Sequence, residues 1–205
     1  NALGKYEDVE KTVQQELASN SFAMNNSITA QYRECLADAF ENQNKYDEAA
    51  LEYKRILDND ASNSKIKEML GNAYIRSGKL DEARSIYLEL LTIDRFNASY
   101  TAQLGRIELI RKNYVEASFQ LEKAIKLDPS ERSYYGPLGE AFEGANNLQK
   151  ALDSYKTAVP YEEAKYTAAK NKFISEKVIQ EQLATLKKYL MSVARLSEQL
   201  GKFDE

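Results

Sequence analysis

An all-α fold, a right-handed superhelix of stacked antiparallel helix pairs, is predicted by three features of the sequence. Alanine recurs at Ala49, Ala83, Ala117 and Ala151, each 34 residues after the last, inside the phrases KYDEAALEY, KLDEARSIY, NYVEASFQL and NLQKALDSY. Leucine followed by a small residue recurs on the same period at Leu36-Ala37, Leu70-Gly71, Leu104-Gly105 and Leu138-Gly139. Between these two marks lies a short polar turn at Asn42 to Asn44, Ser77-Gly78, Lys112-Asn113 and Asn146-Asn147, rich in residues that tolerate the left-handed conformation ending a helix. A fixed period of this length is the mark of a solenoid in which each unit buries its apolar face only by stacking on its neighbours.

Four complete units follow, at residues 30–63, 64–97, 98–131 and 132–165, each read as helix, turn, helix. In the first helix the Leu-small pair is followed three residues on by Phe40, Tyr74, Glu108 and Phe142. In the second helix, four residues past the alanine, stand Tyr53, Tyr87, Leu121 and Tyr155. Small residues beside large ones let two helix backbones approach while the ring fills the adjoining space. A second break is expected after each pair, near Asp58–Ser62, Asp94–Asn97, Asp128–Ser130 and Pro160. Residues 1–29 read as half a unit plus a linker: Gly4-Lys5-Tyr6-Glu7-Asp8-Val9 matches a turn and a second helix, with six extra residues around Ser19–Ser27. Residues 166–205 read as a long helical segment. It closes on the first helix of a further unit, Leu190-x-x-Val193-Ala194, and its turn, Gly201-Lys202-Phe203-Asp204-Glu205. Both ends therefore look cut mid-unit, as in a fragment of a longer array. From Tyr161 to Leu200 there is no Gly or Pro, so one long helix or two closely linked ones are expected, with Ile179, Leu183, Leu186, Leu190 and Val193 as the stripe that packs on the fourth unit.

The Leu-Gly, Tyr and Ala-x-x-x-Tyr spacing, repeated four times in register, resembles the tetratricopeptide repeat family over most of the chain. Departures are visible: the family's early Trp is replaced by Arg33, Lys67, Thr101 and Tyr135, and its closing Pro survives only as Pro129. These changes make the first helices more polar than is usual for the family. The resemblance implies a concave groove, lined by the first helix of each unit, that binds an extended peptide or a partner helix. The family's two-carboxylate clamp for acidic chaperone tails needs Lys, Asn, Asn, Lys and Arg. The matching positions here are Glu34, Asp38, Met69, Ser99 and Gln103 in one frame and Glu68, Asn72, Gln103, Ser133 and Pro137 in the next, so that ligand is not implied. Nor is an asparagine ladder, whose positions hold Cys35, Met69, Gln103 and Pro137.

Composition narrows the function classes. The chain is 205 residues long with 43% hydrophobic and 29% charged residues, enough for a core in a short solenoid. Its net charge of −4 argues against a nucleic-acid partner, which calls for a basic face. No apolar run approaches a membrane span. Histidine is absent, which removes the commonest general base and transition-metal ligand. The Gly-Lys pairs at 4–5, 78–79 and 201–202 lack the spacing of a phosphate loop. Residues Asp58 to Asn63 lack the glycine and closing glutamate of a calcium loop and read as a helix-capping linker. Asn25 and Asn97 head formal glycosylation triplets. Cys35 reads as a partly packed structural thiol, and no carboxylate pair stands out as an acid-base couple, so neither an enzymatic activity nor a cofactor is expected. The compartment is left open: the cytoplasm is favoured, the periplasm follows if a leader was removed, and the mix of Asn, Lys and Ile suits a bacterial protein.

By register, the inward-facing positions are Gln31, Glu34, Asp38 and Glu41, then Lys65, Glu68, Asn72 and Ile75, then Ser99, Ala102, Arg106 and Leu109, then Ser133, Gly136, Glu140 and Glu143. Such a groove is acidic at both ends with an apolar, Arg-containing middle, and prefers a protein or peptide with basic residues flanking a small apolar centre. Pro137 after Gly136 predicts a local widening at the fourth unit. The function expected is a non-catalytic interaction scaffold. The alternative is an assembly protein that self-associates through its ends or the 161–200 helix.

Overall fold

The computed structural model describes residues 2–19, 26–171 and 175–201, and every regular element among them is helical. In chain order these are α1 (Ala2–Ser19), α2 (Asn26–Asn42), α3 (Tyr46–Leu57), α4 (Ser64–Ser77), α5 (Leu80–Ile93), α6 (Ala98–Ile110), α7 (Tyr114–Leu127), a 3-10 turn at Arg132–Tyr134, α8 (Tyr135–Gly144), α9 (Leu148–Asn171) and α10 (Glu176–Gln199). They form two compact units, Asn1–Arg95 and Phe96–Glu205.

The 34-residue period is written into the backbone. Asn44 (φ 61°), Gly78 (φ 80°), Lys112 (φ 63°) and Asn146 (φ 59°) are left-handed, each 34 residues from the next. One residue beyond, the amides of Lys45, Lys79, Asn113 and Asn147 reach back to the carbonyls of Phe40, Tyr74, Glu108 and Phe142 at 2.8–2.9 Å. This closes the first helix of each pair with the six-to-one bond of a Schellman turn. The carbonyls of Lys45, Lys79, Asn113 and Asn147 then accept from the amides of Ala49, Ala83, Ala117 and Ala151 at 2.9–3.1 Å, which opens the second helix. Lysine is the costly choice in this series, because a side chain in the left-handed region crowds the following carbonyl.

The recurring alanines mark the tightest crossings: all four are fully buried. Opposite them, a methyl group added to Gly71 would lie 2.9 Å from the Tyr87 ring, one on Gly105 2.7 Å from Leu121, and one on Gly139 2.7 Å from the Tyr155 ring. Only a small residue lets the ring or leucine of the second helix lie flat on the first. In the first unit the core built this way holds Leu36, Phe40, Tyr53, Leu70, Tyr74, Tyr87 and Leu90. In the second it holds Leu121, Leu138, Phe142, Leu152, Tyr155, Tyr189 and Leu196.

The positions that carry Trp in the related family are polar here for a visible reason. Arg33 donates to the buried Glu52 at 2.7 Å, and Arg55 closes on the same carboxylate. The buried Lys67 pairs with Glu89. Thr101, fully buried, donates to the Asn97 carbonyl at 2.9 Å. At Arg33 and Lys67, ion pairs between the first and second helices take the place of an aromatic contact.

The starts of α4 and α6 follow local capping. The side chains of Asn63 and Asn97 accept from the amides of Ile66 and Tyr100 at 3.1 and 3.0 Å. Asp60 binds Ser62 and Asn63, so the stretch from Asp58 to Asn63 is the capping linker expected of it. Three expectations are corrected. Gly4 and Lys5 lie inside α1 instead of in a turn. Pro160 does not end a helix: α9 runs through it from Leu148 to Asn171, and Pro160 sits exposed on its surface. The buried face of α10 comprises Leu186, Tyr189 and Leu196, with Gln182, Val193 and Leu200 partly covered, spaced alternately four and three. Leu190, expected in that stripe, is 47% exposed, because the burying face is rotated one position away from it. Residues 172–174, between α9 and α10, and most of the expected Ser19–Ser27 insertion lie outside the described residues.

Two outcomes test this packing. Lys112→Gly relieves the left-handed strain and raises stability by about 0.5–1 kcal/mol net of the added chain entropy, read as a shift in the urea midpoint. Ala117→Leu overpacks a closed crossing and lowers stability by roughly 1–3 kcal/mol in the same measurement; an unchanged midpoint would mean the crossing is not where the repeat places it.

Candidate functional site

In the first unit, the expected groove positions fall on α2 and α4. Glu34 and Glu41 on α2, and Glu68, Asn72 and Ile75 on α4, are half-buried, while Asp38 and Lys65 are exposed. Lys65 reaches Glu34, which joins the two helices. The core tyrosines extend their hydroxyls to this face: Tyr53 donates to Glu41 at 3.2 Å and Tyr87 to the Asn72 side-chain oxygen at 2.7 Å. Burial pushes the Glu41 carboxyl above its ordinary value, against the Tyr53 hydrogen bond and the Arg76 charge, with nearby Asp38 adding to the rise. Asp38 is raised as well, first by desolvation and then by the Glu34 charge. The face thus carries four carboxylates, Glu34, Asp38, Glu41 and Glu68, with Lys65 as the lysine among the expected positions, and burial, aided by the neighbouring carboxylates, raises the proton affinity of Asp38 and Glu41.

In the second unit, the expected positions separate. Ala102 is 2% exposed and belongs to the core, packed with Leu138 and Tyr134, so it lines no groove. Leu109, Glu140 and Glu143 border an open cleft of about 440 Å³ together with Ile110, Lys112, Tyr114, Tyr155, Lys188 and Ser192. Two of those, Lys188 and Ser192, come from α10, which sequence reasoning had not placed on this face. Lys188 pairs with Glu140 at 2.6 Å, Tyr189 donates to the same residue at 3.2 Å, Arg195 pairs with Glu143, and Tyr155 donates to Glu143 at 3.0 Å. The acidity expected at this end is therefore neutralised from within the chain. Pro137, where a widening is expected, sits in the first turn of α8 just after the 3-10 turn at Arg132–Tyr134, where its missing amide is tolerated, and a methyl on Gly136 would collide with the Tyr189 side chain. The signal for α10 was in the sequence, as the spacing of Gln182, Leu186, Tyr189, Val193, Leu196 and Leu200, but the polar Gln182 and the amphipathic Tyr189 hid it among more obvious leucines.

Cys35 is a free thiol and exposed, not packed. Among the described residues no group of His, Cys, Asp or Glu is arranged to hold a metal, and no helix is long and apolar enough to cross a membrane. The face on α2 and α4 offers hydrogen-bonding and charged groups held in place by the core, which suits recognition.

Comparison with known proteins agrees with this geometry. The tetratricopeptide repeat model matches residues 2–64, 35–99 and 68–121. Among solved structures, a tetratricopeptide repeat protein from Parabacteroides merdae is similar over 97% of this chain and 72% of its own, with a TM-score of 0.66 and 15% identity. BtubC from P. vanneervenii is similar over 98% of this chain and 84% of its own, with a TM-score of 0.65 and 14% identity. MamA from Desulfovibrio magneticus RS-1 covers 86% of this chain and 97% of its own, with a TM-score of 0.57 and 16% identity. No curated protein matches the sequence. At these identities the structures speak for the fold alone, while the family model, spanning more than half of the chain, identifies it as a member of the tetratricopeptide repeat family.

One titration follows from the α2 face. The folded-state pKa of Glu41 lies above its ordinary value of 4.5. The protonated carboxyl is therefore favoured by folding: its contribution is present in full below the unfolded value and is lost as pH rises through the folded one. Glu41→Gln keeps the Tyr53 contact, removes the charge, and raises the melting temperature at pH 7 by an amount worth under about 1 kcal/mol. The gain over the parent shrinks as pH falls below about 4, read by thermal melts across that range.

Proposed function

We propose, from membership of the tetratricopeptide repeat family, that the chain is a non-catalytic interaction module. Its first-unit face on α2 and α4 binds a protein or peptide segment carrying basic residues around a small apolar centre. The observation that carries this reading is the row of carboxylates Glu34, Asp38, Glu41 and Glu68 beside the half-buried Ile75, with Asn72 and Glu41 held in place by core tyrosines. A face already oriented by its own packing loses little side-chain freedom on binding. Burial raises the Asp38 and Glu41 carboxyls, with a neighbouring carboxylate adding to each rise, and a lysine or arginine from a partner supplies the opposite charge this face favours. In the second unit the cleft bordered by Leu109, Glu140 and Glu143 has its carboxylates already paired and contributes apolar and hydrogen-bonding contacts instead.

A short labelled peptide with lysines flanking an apolar centre, followed by fluorescence anisotropy, tests the reading. Asp38→Lys and Glu68→Lys should each weaken it at least about tenfold, and added salt should weaken the parent in the same direction. Equal binding of an aspartate-flanked peptide, or indifference to both reversals, would defeat the proposal.

A second reading, self-association, rests on Leu190 and Met191, 47% and 72% exposed on α10. Leu186, the other residue expected to serve such a seam, is committed to the core. Met191→Lys should abolish any dimer in sedimentation velocity while leaving peptide binding intact.

A further inference from the structure

The cleft of about 440 Å³ in the second unit has a charge balance unlike that of the α2 and α4 face. Its two carboxylates are fully engaged. Glu140 accepts from the Tyr189 hydroxyl at Oε1 and from Lys188 at Oε2, and Glu143 accepts from Arg195 at Oε1 and from the Tyr155 hydroxyl at Oε2. Lys112, on the rim of the same cleft, differs: among the described residues no carboxylate or other acceptor engages its ammonium. Three cations therefore stand against two carboxylates, and the positive charge in excess is that of Lys112. The backbone at Lys112 supplies an independent observation. Its φ of 63° is left-handed, where the equivalent positions hold Asn44, Gly78 and Asn146. A lysine gains nothing for the turn there, since glycine or asparagine makes it at lower cost. Strain of this kind persists where a side chain serves something other than the fold. The wall beside it is apolar. Leu109 and Ile110 end α6, with Ile110 52% exposed, and the Tyr114 ring lies against Gly144, where a methyl group would collide with it.

We propose that this cleft binds a partner segment in which an apolar side chain neighbours an aspartate or glutamate. The apolar side chain lies on Leu109, Ile110 and Tyr114, and the carboxylate pairs with Lys112. A basic residue in that place would meet an unpaired ammonium, and a neutral polar one would leave the excess charge unmatched. The carboxylate is that of a side chain and not of a chain terminus. The turn offers no cradle of free amides for a terminal carboxylate, because Arg111, Lys112 and Asn113 donate theirs to Ile107, Leu109 and Glu108. No position of the family's carboxylate clamp, in either frame, borders the cleft. The inference rests on the interaction role proposed above for its class of partner, but it takes the opposite charge on different residues in the other unit.

The test uses the whole chain and a peptide blocked at both ends, with Leu-Asp at the centre of a Gly-Ser sequence. The amides of Ile110, Lys112 and Gly144 are followed by nitrogen-15 NMR as the peptide is added, and saturable shifts are expected. Replacing Asp by Asn in the peptide should weaken it at least about threefold, and replacing Leu by Ala about tenfold, since a solvent-facing ion pair is worth less than a covered apolar side chain. Lys112→Gly relieves the strained turn, so it stays folded and melts higher. It should nevertheless bind the Leu-Asp peptide as weakly as the parent binds Leu-Asn, and should no longer tell the two apart. Lys112→Arg keeps the charge and should keep the affinity. Absent shifts, or equal binding of the Leu-Asp peptide by the parent and Lys112→Gly, overturn the proposal. Tighter binding of a peptide ending in a free leucine carboxylate would make the occupant a chain terminus, and shifts that grow with protein concentration alone would make it a second copy. Either result also overturns it. Failure of the lysine-flanked peptide to bind, with this titration intact, would remove the basic partner of α2 and α4 and leave the cleft standing; the reverse outcome would remove the cleft alone.

Discussion

Everything on the inner faces depends on one packing constraint, the close crossing of two helices at a glycine or alanine against a tyrosine. Because Gly71 and Gly139 leave no room for a methyl group, the rings of Tyr87 and Tyr155 lie flat across the first helix of their own pair. A ring held that way must put its hydroxyl somewhere, and for Tyr155 burial makes loss of the proton unfavourable. The hydroxyls emerge on the inner side, where Tyr53 meets Glu41, Tyr87 meets Asn72 and Tyr155 meets Glu143. The residue that closes the core therefore also orients the residue that faces a partner. Leu121 takes the same place between α6 and α7 without a hydroxyl, and the corresponding inner position is the apolar Leu109.

The same logic explains how the repeat tolerates charge where its relatives carry a large aromatic. Glu52, buried between Arg33 and Arg55, and Lys67, buried against Glu89, are stable only because each has its partner on the neighbouring helix of the pair. Such pairs add direction that an apolar contact lacks, since a shift of either helix along the other would strand a charge. They tie each first helix to its own second helix within the first unit.

Helix existence, the turn positions and the small-to-large crossings were legible in the sequence because each repeats four times, and a physical requirement that repeats cannot be mistaken for accident. The left-handed turn residue is an example: Asn44, Gly78 and Asn146 announce it, and Lys112 is recognised only by its place in the series. What was not legible lies where the period lapses. Pro160 is read as a break from local chemistry alone, whereas α9 continues through it and packs its later turns along α10. Ala102 shares a register with inward residues, yet a methyl side chain at that level is covered by its neighbours. The face of α10 that packs was obscured because two of its members, Gln182 and Tyr189, are polar or amphipathic.

The helix that escaped the repeat also divides the chemistry of the chain. Glu41 and Glu143 hold the same place in their units and each accepts from the tyrosine twelve residues on. The burial of Glu41 is offset by the Tyr53 hydrogen bond and the Arg76 charge, while Glu143 gains an ion pair with Arg195 from α10. Lys188 does the same for Glu140, whose equivalent in the first unit, Asp38, is left among like charges. Equivalent carboxylates are thus attractive to a cation in one unit and already satisfied in the other. Recognition of basic residues as proposed here therefore draws on α2 and α4, while Lys188 and Arg195 already occupy the equivalent places in the second unit.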